Sequence, residues 1–293
     1  MEYTFSRILS RNKWLSLIQL GRPWNALLTG LLALLGIFIV PQSILSFTTT
    51  LGTFFAFFFA YMAGATVNDI FDMLVDAINM PYRPLQQKTV TKRGAWLFSL
   101  IMHLMALGLS FMLDFKLFIL MIVFFVLSFF YSIPPVMFSR RSIWGQVELV
   151  VCTISLPIYS GIVLASNSFL PPLTVIPALS TLSLFFIFLL ILKDFKDILG
   201  DEIKSKGTFV SRKGEVKALT VMIVGSVVFF SLTTLFFYQI FNNLFFILVS
   251  NVILIFLLKT QLEVISHPEL GFTEARIIML FYVLSLLAFS FFL

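Results

Sequence analysis

The sequence has little charge. Only 12% of its 293 residues are Asp, Glu, Lys or Arg, whereas soluble domains carry about a quarter. Hydrophobic residues make up 59%, and the mean hydropathy is +1.03. This composition excludes an ordinary soluble domain and predicts a protein embedded in the lipid bilayer.

Cysteine is almost absent as well. Cys152 is the single cysteine and stands in an apolar segment, which excludes a disulfide framework and a thiolate metal site.

His103 has no evident partner, so we expect it to be structural. Residues Met1 to Gly21 lack the short apolar core and small-residue cleavage site of a signal peptide, so we expect the first helix to be retained.

The uncharged stretches are long enough to cross a bilayer several times, because a spanning helix needs roughly 20 apolar residues. Polar or proline breaks at 41–43, 166–172 and 242–243 divide the longest of them. We therefore predict an all-α, polytopic membrane protein with one domain over residues 1–293. The nine predicted transmembrane helices are 23–40, 45–67, 95–113, 117–134, 147–165, 172–192, 218–238, 242–259 and 275–293.

The basic residues predict the orientation. Lys and Arg precede helix 1 or fall at loops 2/3, 4/5, 6/7 and 8/9, and only Lys116 lies in an opposite loop. Positive charge is retained on the cytoplasmic side of a membrane. We therefore expect the amino terminus and loops 2/3, 4/5, 6/7 and 8/9 to be cytoplasmic, and the carboxyl terminus to lie on the opposite side. The net charge of +6 is thereby explained without a nucleic-acid partner.

Two groups of three aspartates repeat one spacing, i, i+3 and i+7. The offset between them is 194 − 69 = 125 residues, and each begins at the cytoplasmic end of an even-numbered helix. This echo predicts a pseudo-repeat of four-helix units with a ninth helix added. The first triad is Asp69, Asp72 and Asp76, and the second triad is Asp194, Asp197 and Asp201.

This spacing predicts a metal site. Residues three and four apart share a helix face, so three carboxylates there repel one another unless a cation lies among them. Mg²⁺ binds one or two carboxylates together with phosphate oxygens. We predict that both triads bind Mg²⁺ and are catalytic, and that Arg83, Arg140 and Lys193 bind the anionic substrate. The alternatives are a solvated acidic loop and, for the cations, the positive-inside signal alone.

Around the triads the sequence resembles the UbiA superfamily of intramembrane prenyltransferases. The first family motif is Asn-Asp-x-x-Asp-x-x-x-Asp followed by Arg-Pro, and residues 68–84 fit it. The second is an Asp-x-x-x-Asp element often preceded by Lys-Asp, and residues 193–201 fit it. Residues 22–25 (Arg-Pro-Trp-Asn) and 131–132 (Tyr-Ser) also look like family positions. Gln146, Glu202 and Ser205 depart from the residues that many members carry.

The resemblance implies nine transmembrane helices around a central cavity, Mg²⁺ as cofactor, and a polyprenyl diphosphate donor with its tail among the helices. Arg22, Asn25 and Asn68 become candidate substrate-binding residues. For Asn25 and Asn68 the alternative is a structural role, in which the side-chain amide forms hydrogen bonds between helices. Tyr131 is a candidate catalytic residue, because an aromatic face stabilises an allylic cation; its alternative is an interfacial tyrosine. We expect loops 77–92 and 200–213 to cap the cavity.

Two other functions compete with prenyl transfer. Intramembrane acids also occur in cation-linked transporters, and a Mg²⁺-dependent isoprenoid diphosphate hydrolase or cyclase would share the donor site. For the transferase, the lipophilic acceptor is a phenolic ring, a chlorin carboxylate or a glycerol-phosphate lipid. Residues 22–25 favour members that make archaeal-type ether lipids, whereas residues 131–135 favour the chlorophyll and homogentisate branches.

Overall fold

The computed structural model describes residues 13–41, 45–291 and 293. The first 12 residues and part of the predicted break at 41–43 lie outside the described residues. Within them, every regular element is helical. The helices are α1 (Lys13–Leu20), α2 (Pro23–Phe38), α3 (Phe47–Phe71), α4 (Met73–Asn79), α5 (Lys92–Leu113), α6 (Phe115–Ser132), α7 (Ile143–Ser166), α8 (Ile176–Leu189), α9 (Leu192–Phe195), α10 (Ile198–Ile203), α11 (Phe209–Lys213), α12 (Glu215–Phe241), α13 (Leu244–Glu263) and α14 (Pro268–Ser290).

The prediction of an all-α, polytopic membrane protein is confirmed over the described ranges, and its nine spans are reached when a bent pair of helices counts as one span. Eight helical segments are long and apolar enough to cross a membrane, and α1 with α2 forms a ninth that is bent by 54°. The predicted bounds are wrong chiefly for the last helix, which begins at Pro268 rather than at 275. The prediction left Glu274 in the preceding loop, but this residue lies in the second turn of α14, where the helix extends beyond its apolar section.

The spanning helices form a closed ring. Each spanning helix packs against the next spanning helix along the chain, so that α3 contacts α5 and α8 contacts α12, with only short helices between them in sequence. The contact of α14 with α2 closes the ring. Most of the buried hydrophobic residues fall into two clusters, one on each side of the ring. The ring encloses a cavity between the helices, as the resemblance implied.

Two glycines allow α2 and α7 to touch backbone to backbone. A Cβ added to Gly161 would lie 2.1 Å from the Ala33 carbonyl oxygen, and one added to Gly36 would lie 1.9 Å from that of Ile158. Real Cβ atoms do not approach so closely, so only glycine fits at either position. Small residues at such crossings drive helix association in lipid, where dispersion rather than the hydrophobic effect holds helices together.

We predict that Gly161→Ala will destabilise the protein by about 1–3 kcal/mol, the usual cost of overpacking. The contacted atoms belong to the α2 backbone and cannot rotate away. Thermal unfolding in detergent measures the effect. Gly108→Ala is the matched control, because Gly108 also lies within a helix but its added Cβ has no neighbour within 4 Å. Equal unfolding temperatures for the two variants would contradict the prediction.

Candidate active site

The cavity is lined at one end by both aspartate motifs and elsewhere by apolar side chains such as Leu28, Phe124 and Phe186. Most of the predicted site residues reach it. Four do not contribute to its lining, namely Asp69, Asp194, Asp201 and Arg140, of which the three aspartates are buried just behind it. The predicted residues that line the cavity are Arg22, Asn25, Asn68, Asp72, Asp76, Arg83, Tyr131, Lys193 and Asp197.

Neither triad lies on one continuous helix, so the expectation of a single shared helix face is wrong. The helix that carries the first triad breaks at Asp72, between α3 and α4. The second triad is interrupted at Asp197, which precedes α10. The chain therefore turns at the middle aspartate of each motif. These turns let members of one triad reach different partners.

Arginines hold the outer two aspartates of the first triad. Arg83 Nη1 donates to Asp69 Oδ1 over 3.0 Å and also to Asp76 Oδ2. Arg22, which has a left-handed backbone (φ 51°) between α1 and α2, donates to Asp69 as well. Burial raises the pKa of Asp76 to about 6, although Arg83 opposes the shift.

The middle aspartate of the first triad is held from the other half of the chain. Lys206 Nζ donates to Asp72 Oδ2 over 2.8 Å, and Asn68 Nδ2 donates to the same oxygen over 3.2 Å. Burial alone would raise the pKa of Asp72, but the ammonium of Lys206, together with the positive charges of Arg83 and Arg140, lowers that pKa. Asn68 also donates to Ser132 Oγ over 3.3 Å.

Asp194 differs from the other members of the second triad. Its side chain is 1% exposed, and its oxygens accept from Gln146 Nε2 at 2.6 Å, Lys193 Nζ at 2.8 Å and the Phe209 backbone N–H at 3.2 Å. These contacts join α7, α9 and α11. In this arrangement Asp194 organises the segment around the cavity, whereas the sequence predicted a metal ligand there.

The other two aspartates of the second triad have free acceptors. Asp197 Oδ1 and both carboxylate oxygens of Asp201 are buried without a hydrogen-bond partner. Burial raises the pKa of Asp201 to about 7, with Lys206 opposing the shift. The ammonium of Lys196 lies 3.8 Å from Asp197 Oδ1. Carboxylate oxygens with so few close donors are the hard ligands that Mg²⁺ prefers, so these residues fit the predicted cofactor.

The six aspartates are not gathered into one preformed cluster. Among residues 13–41, 45–291 and 293, no group of three or more Asp, Glu, His or Cys side chains is positioned to hold a metal ion. A Mg²⁺ ion binds only one or two carboxylates and completes its coordination with water and substrate phosphate oxygens.

Asn79 connects the two motifs, which the sequence did not predict. Its Nδ2 donates to the Asp197 carbonyl oxygen over 2.8 Å, and its Oδ1 accepts from the Gly200 N–H over 2.7 Å. A Cβ at position 200 would lie 2.4 Å from Asn79 Oδ1, so the glycine makes room for the bridge. Loops 77–92 and 200–213 thus meet at the cavity, where Arg83 and Lys206 contribute to its lining.

Four more residues that line the cavity were missed. Glu148, on α7 just before a π-helical turn at Val151–Ser155, is 6% exposed, and neither of its carboxylate oxygens has a hydrogen-bond partner. Lys196 and Arg276 lie over the Phe272 ring. Burial, reinforced by nearby arginines, lowers the pKa of Lys196 to about 8 against the pull of Asp197. Lys196 lies within the second motif, whereas Glu148, Phe272 and Arg276 belong to no recognisable motif and reach the cavity only through the tertiary structure.

We predict that Asn79→Ala will separate the two motifs. Losing both hydrogen bonds leaves the Gly200 N–H without its acceptor, at a cost of about 1–3 kcal/mol, and lowers the unfolding temperature. The measurement is thermal unfolding in detergent, together with hydrogen exchange in residues 197–203. Gln87→Ala is the control, because Gln87 also donates to a backbone carbonyl, that of Pro81, but at an exposed position. Unchanged exchange at 197–203 would contradict the bridging role.

Fold and site together define a class, that of polytopic helical membrane enzymes with two aspartate motifs and several buried cations at one cavity. The profile of the UbiA prenyltransferase family matches residues 29–269. The chain belongs to the UbiA prenyltransferase family. It is therefore an intramembrane prenyltransferase, which confirms the predicted class of reaction.

Named relatives and a solved structure agree with this assignment. The digeranylgeranylglyceryl phosphate synthase of Pyrococcus furiosus is 27% identical over 206 residues, which cover 70% of this chain and 71% of the relative. That of Saccharolobus solfataricus is 26% identical over 89% of this chain and 90% of the relative. A UbiA homolog from Archaeoglobus fulgidus bound to GPP and Mg²⁺ has a TM-score of 0.69 at 19% identity, covering 95% of this chain and 99% of that one. At this identity the likeness establishes the fold.

Proposed function

We propose that this protein transfers a polyprenyl group from a polyprenyl diphosphate, with Mg²⁺, to a glycerol-phosphate lipid. The observation that carries the proposal is the cavity itself, whose polar end holds two aspartate motifs and buried cations while its remaining wall is apolar. A diphosphate fits the polar end, and a prenyl chain fits the apolar wall.

The relatives support the choice of acceptor. Those of Pyrococcus and Saccharolobus are digeranylgeranylglyceryl phosphate synthases, whose product carries two prenyl groups on a glyceryl phosphate. The homolog from Archaeoglobus binds GPP and Mg²⁺, a prenyl diphosphate with the predicted cofactor. Among the three acceptor classes that the sequence left open, these names favour the glycerol-phosphate lipid over the phenolic and chlorin acceptors.

The carboxylates of Asp72, Asp76, Asp197 and Asp201 would hold Mg²⁺, which on binding would neutralise the diphosphate as it leaves. Arg83, Lys193 and Lys206 supply donors for the remaining diphosphate oxygens and need only shift from the aspartates that they now contact.

The apolar wall has a second task in the reaction. The allylic cation must be kept from water until the acceptor hydroxyl reaches C1. Phe124, Phe186 and Leu189 exclude water there, and Tyr131, which also lines the cavity, offers an electron-rich ring. Asn25, whose Nδ2 donates to Tyr61 Oη over 3.0 Å, links α2 to α3 in the cavity lining.

We predict that Asp72→Asn and Asp197→Asn will each reduce turnover by roughly 10²–10³-fold, as expected when one preorganised electrostatic contact to developing charge is lost. Asparagine keeps the shape and removes the charge. Asp72→Asn also leaves the ammonium of Lys206 without its anionic partner, so turnover is compared at equal amounts of folded, membrane-inserted protein. The assay is turnover of radiolabelled donor against Mg²⁺ concentration. Near-normal turnover with unchanged Mg²⁺ dependence in both variants would refute the two-motif mechanism.

Two matched variants complete this series. Asp114 caps α6 by accepting from the Lys116 and Leu117 N–H groups. Because asparagine is an equally good cap, Asp114→Asn will keep both stability and turnover. Asp194→Asn will instead lower the unfolding temperature as well as turnover, since it removes the charge that Lys193 and Gln146 contact.

The proposed orientation places the aspartate motifs on the cytoplasmic side, in keeping with the distribution of Lys and Arg. Cysteine accessibility in a Cys152→Ser background tests it. Single cysteines placed between α4 and α5 will react with a reagent applied from the cytoplasm, and those placed between α7 and α8 will react only from the outside. Labelling of both positions from one side would overturn the proposed topology.

A further inference from the structure

Three cavity residues, Lys196 within the second motif and Phe272 and Arg276 outside both motifs, form a compact site with two cations. Lys196 Nζ lies 4.6 Å from the centroid of the Phe272 ring, and Arg276 Cζ lies 4.9 Å from the same centroid. Phe272 and Arg276 belong to α14, which carries no aspartate of either triad. All three side chains line the cavity.

Lys196 has weaker anionic contacts than the cations of the motifs. Arg22, Arg83, Lys193 and Lys206 each donate a hydrogen bond to a triad carboxylate. The carboxylate oxygen paired with Lys196 Nζ, Asp197 Oδ1, is 3.8 Å away, and Lys196 Nζ donates a hydrogen bond to Met80 Sδ, also at 3.8 Å. A buried ammonium with such partners has unused capacity for an oxygen anion.

The ring of Phe272 keeps the two cations near each other. Two like charges that share one aromatic ring repel, and the repulsion is stronger in a partly buried cavity than in water. An anion placed between them would convert that repulsion into two charge-assisted hydrogen bonds, with the ammonium as a point donor and the guanidinium as a planar fork. The site thus has the chemistry of a phosphate-binding pair.

We propose that Lys196 and Arg276 bind the phosphate group of the acceptor, a phosphomonoester on a glycerol lipid. This inference rests on the proposed function, because it assigns a second anion to the same cavity. The donor diphosphate is assigned to the aspartate motifs and the cations paired with them. The acceptor phosphate, held at α14, would set the distance from the acceptor hydroxyl to the donor C1, so Lys196 and Arg276 are residues that determine acceptor specificity.

The test compares Lys196→Gln and Arg276→Gln with the unaltered protein in lipid nanodiscs. Steady-state rates are measured with geranylgeranyl diphosphate as donor and geranylgeranylglyceryl phosphate as acceptor. Each variant will raise the acceptor KM by roughly 10- to 100-fold, the effect of one lost charge-assisted hydrogen bond, and will leave the donor KM within about twofold. Lys213→Gln, which removes an exposed lysine outside the cavity, is the control and will change neither value.

A second measurement separates a phosphate site from a general structural effect. The unaltered protein will prefer the phosphorylated acceptor to its dephosphorylated analogue, and inorganic phosphate will compete with the acceptor. Both variants will lose this preference and this inhibition. Binding of the acceptor without Mg²⁺ or donor, followed by tryptophan fluorescence, will weaken in parallel, which gives a readout other than turnover.

The outcomes also distinguish this inference from the function on which it rests. If the unaltered protein forms no product from the phosphorylated acceptor, the proposed function fails. If product forms but the variants raise the donor KM instead, the pair belongs to the diphosphate site and the inference is wrong. If both KM values and the preference for phosphate stay unchanged in the variants, the inference is also wrong.

Discussion

Neutralising buried carboxylates is the constraint on which the site depends. Asp69, Asp72 and Asp194 are each no more than 4% exposed, and an isolated carboxylate in such surroundings costs several kcal/mol. The chain meets this cost with cations from distant segments, since Lys206 is 134 residues from Asp72 and Arg22 is 47 residues from Asp69. These ion pairs bring the aspartate motifs and the intervening loops to one end of the helical ring.

The two halves of the chain solve the same problem with different chemistry. In each half the helix before the triad packs against the long helix that follows it, α3 on α5 and α8 on α12, in keeping with the pseudo-repeat. The first triad is held chiefly by guanidinium and ammonium groups, whereas Asp194 of the second also accepts from an amide and a backbone N–H. In the second half, Asp194 is therefore held by three donors. Asp197 and Asp201 have carboxylate oxygens without a hydrogen-bond partner.

Sequence reasoning recovered the parts of this structure that depend on local pattern. Apolar length predicted the nine spans, and the repeated aspartate spacing located the polar end of the cavity. It could not predict the helix break at Asp72, because the residues there have no proline or glycine to announce it. Nor could it predict the bridge from Asn79, or the saturation of Asp194, since both depend on partners more than 40 residues away. Glu148 and Arg276 could not be predicted for the same reason.

The closure of the ring by α14 on α2 has a consequence for biosynthesis. A chain emerging from the ribosome contains both aspartate motifs once residue 201 has been made, yet the wall that carries Phe272 and Arg276 does not exist until α14 inserts. Until then the groove between α2 and α13 is open sideways to lipid. The insertion of α14 thus decides when the cavity is first enclosed. A truncated product would carry every motif aspartate and still lack an enclosed reaction chamber.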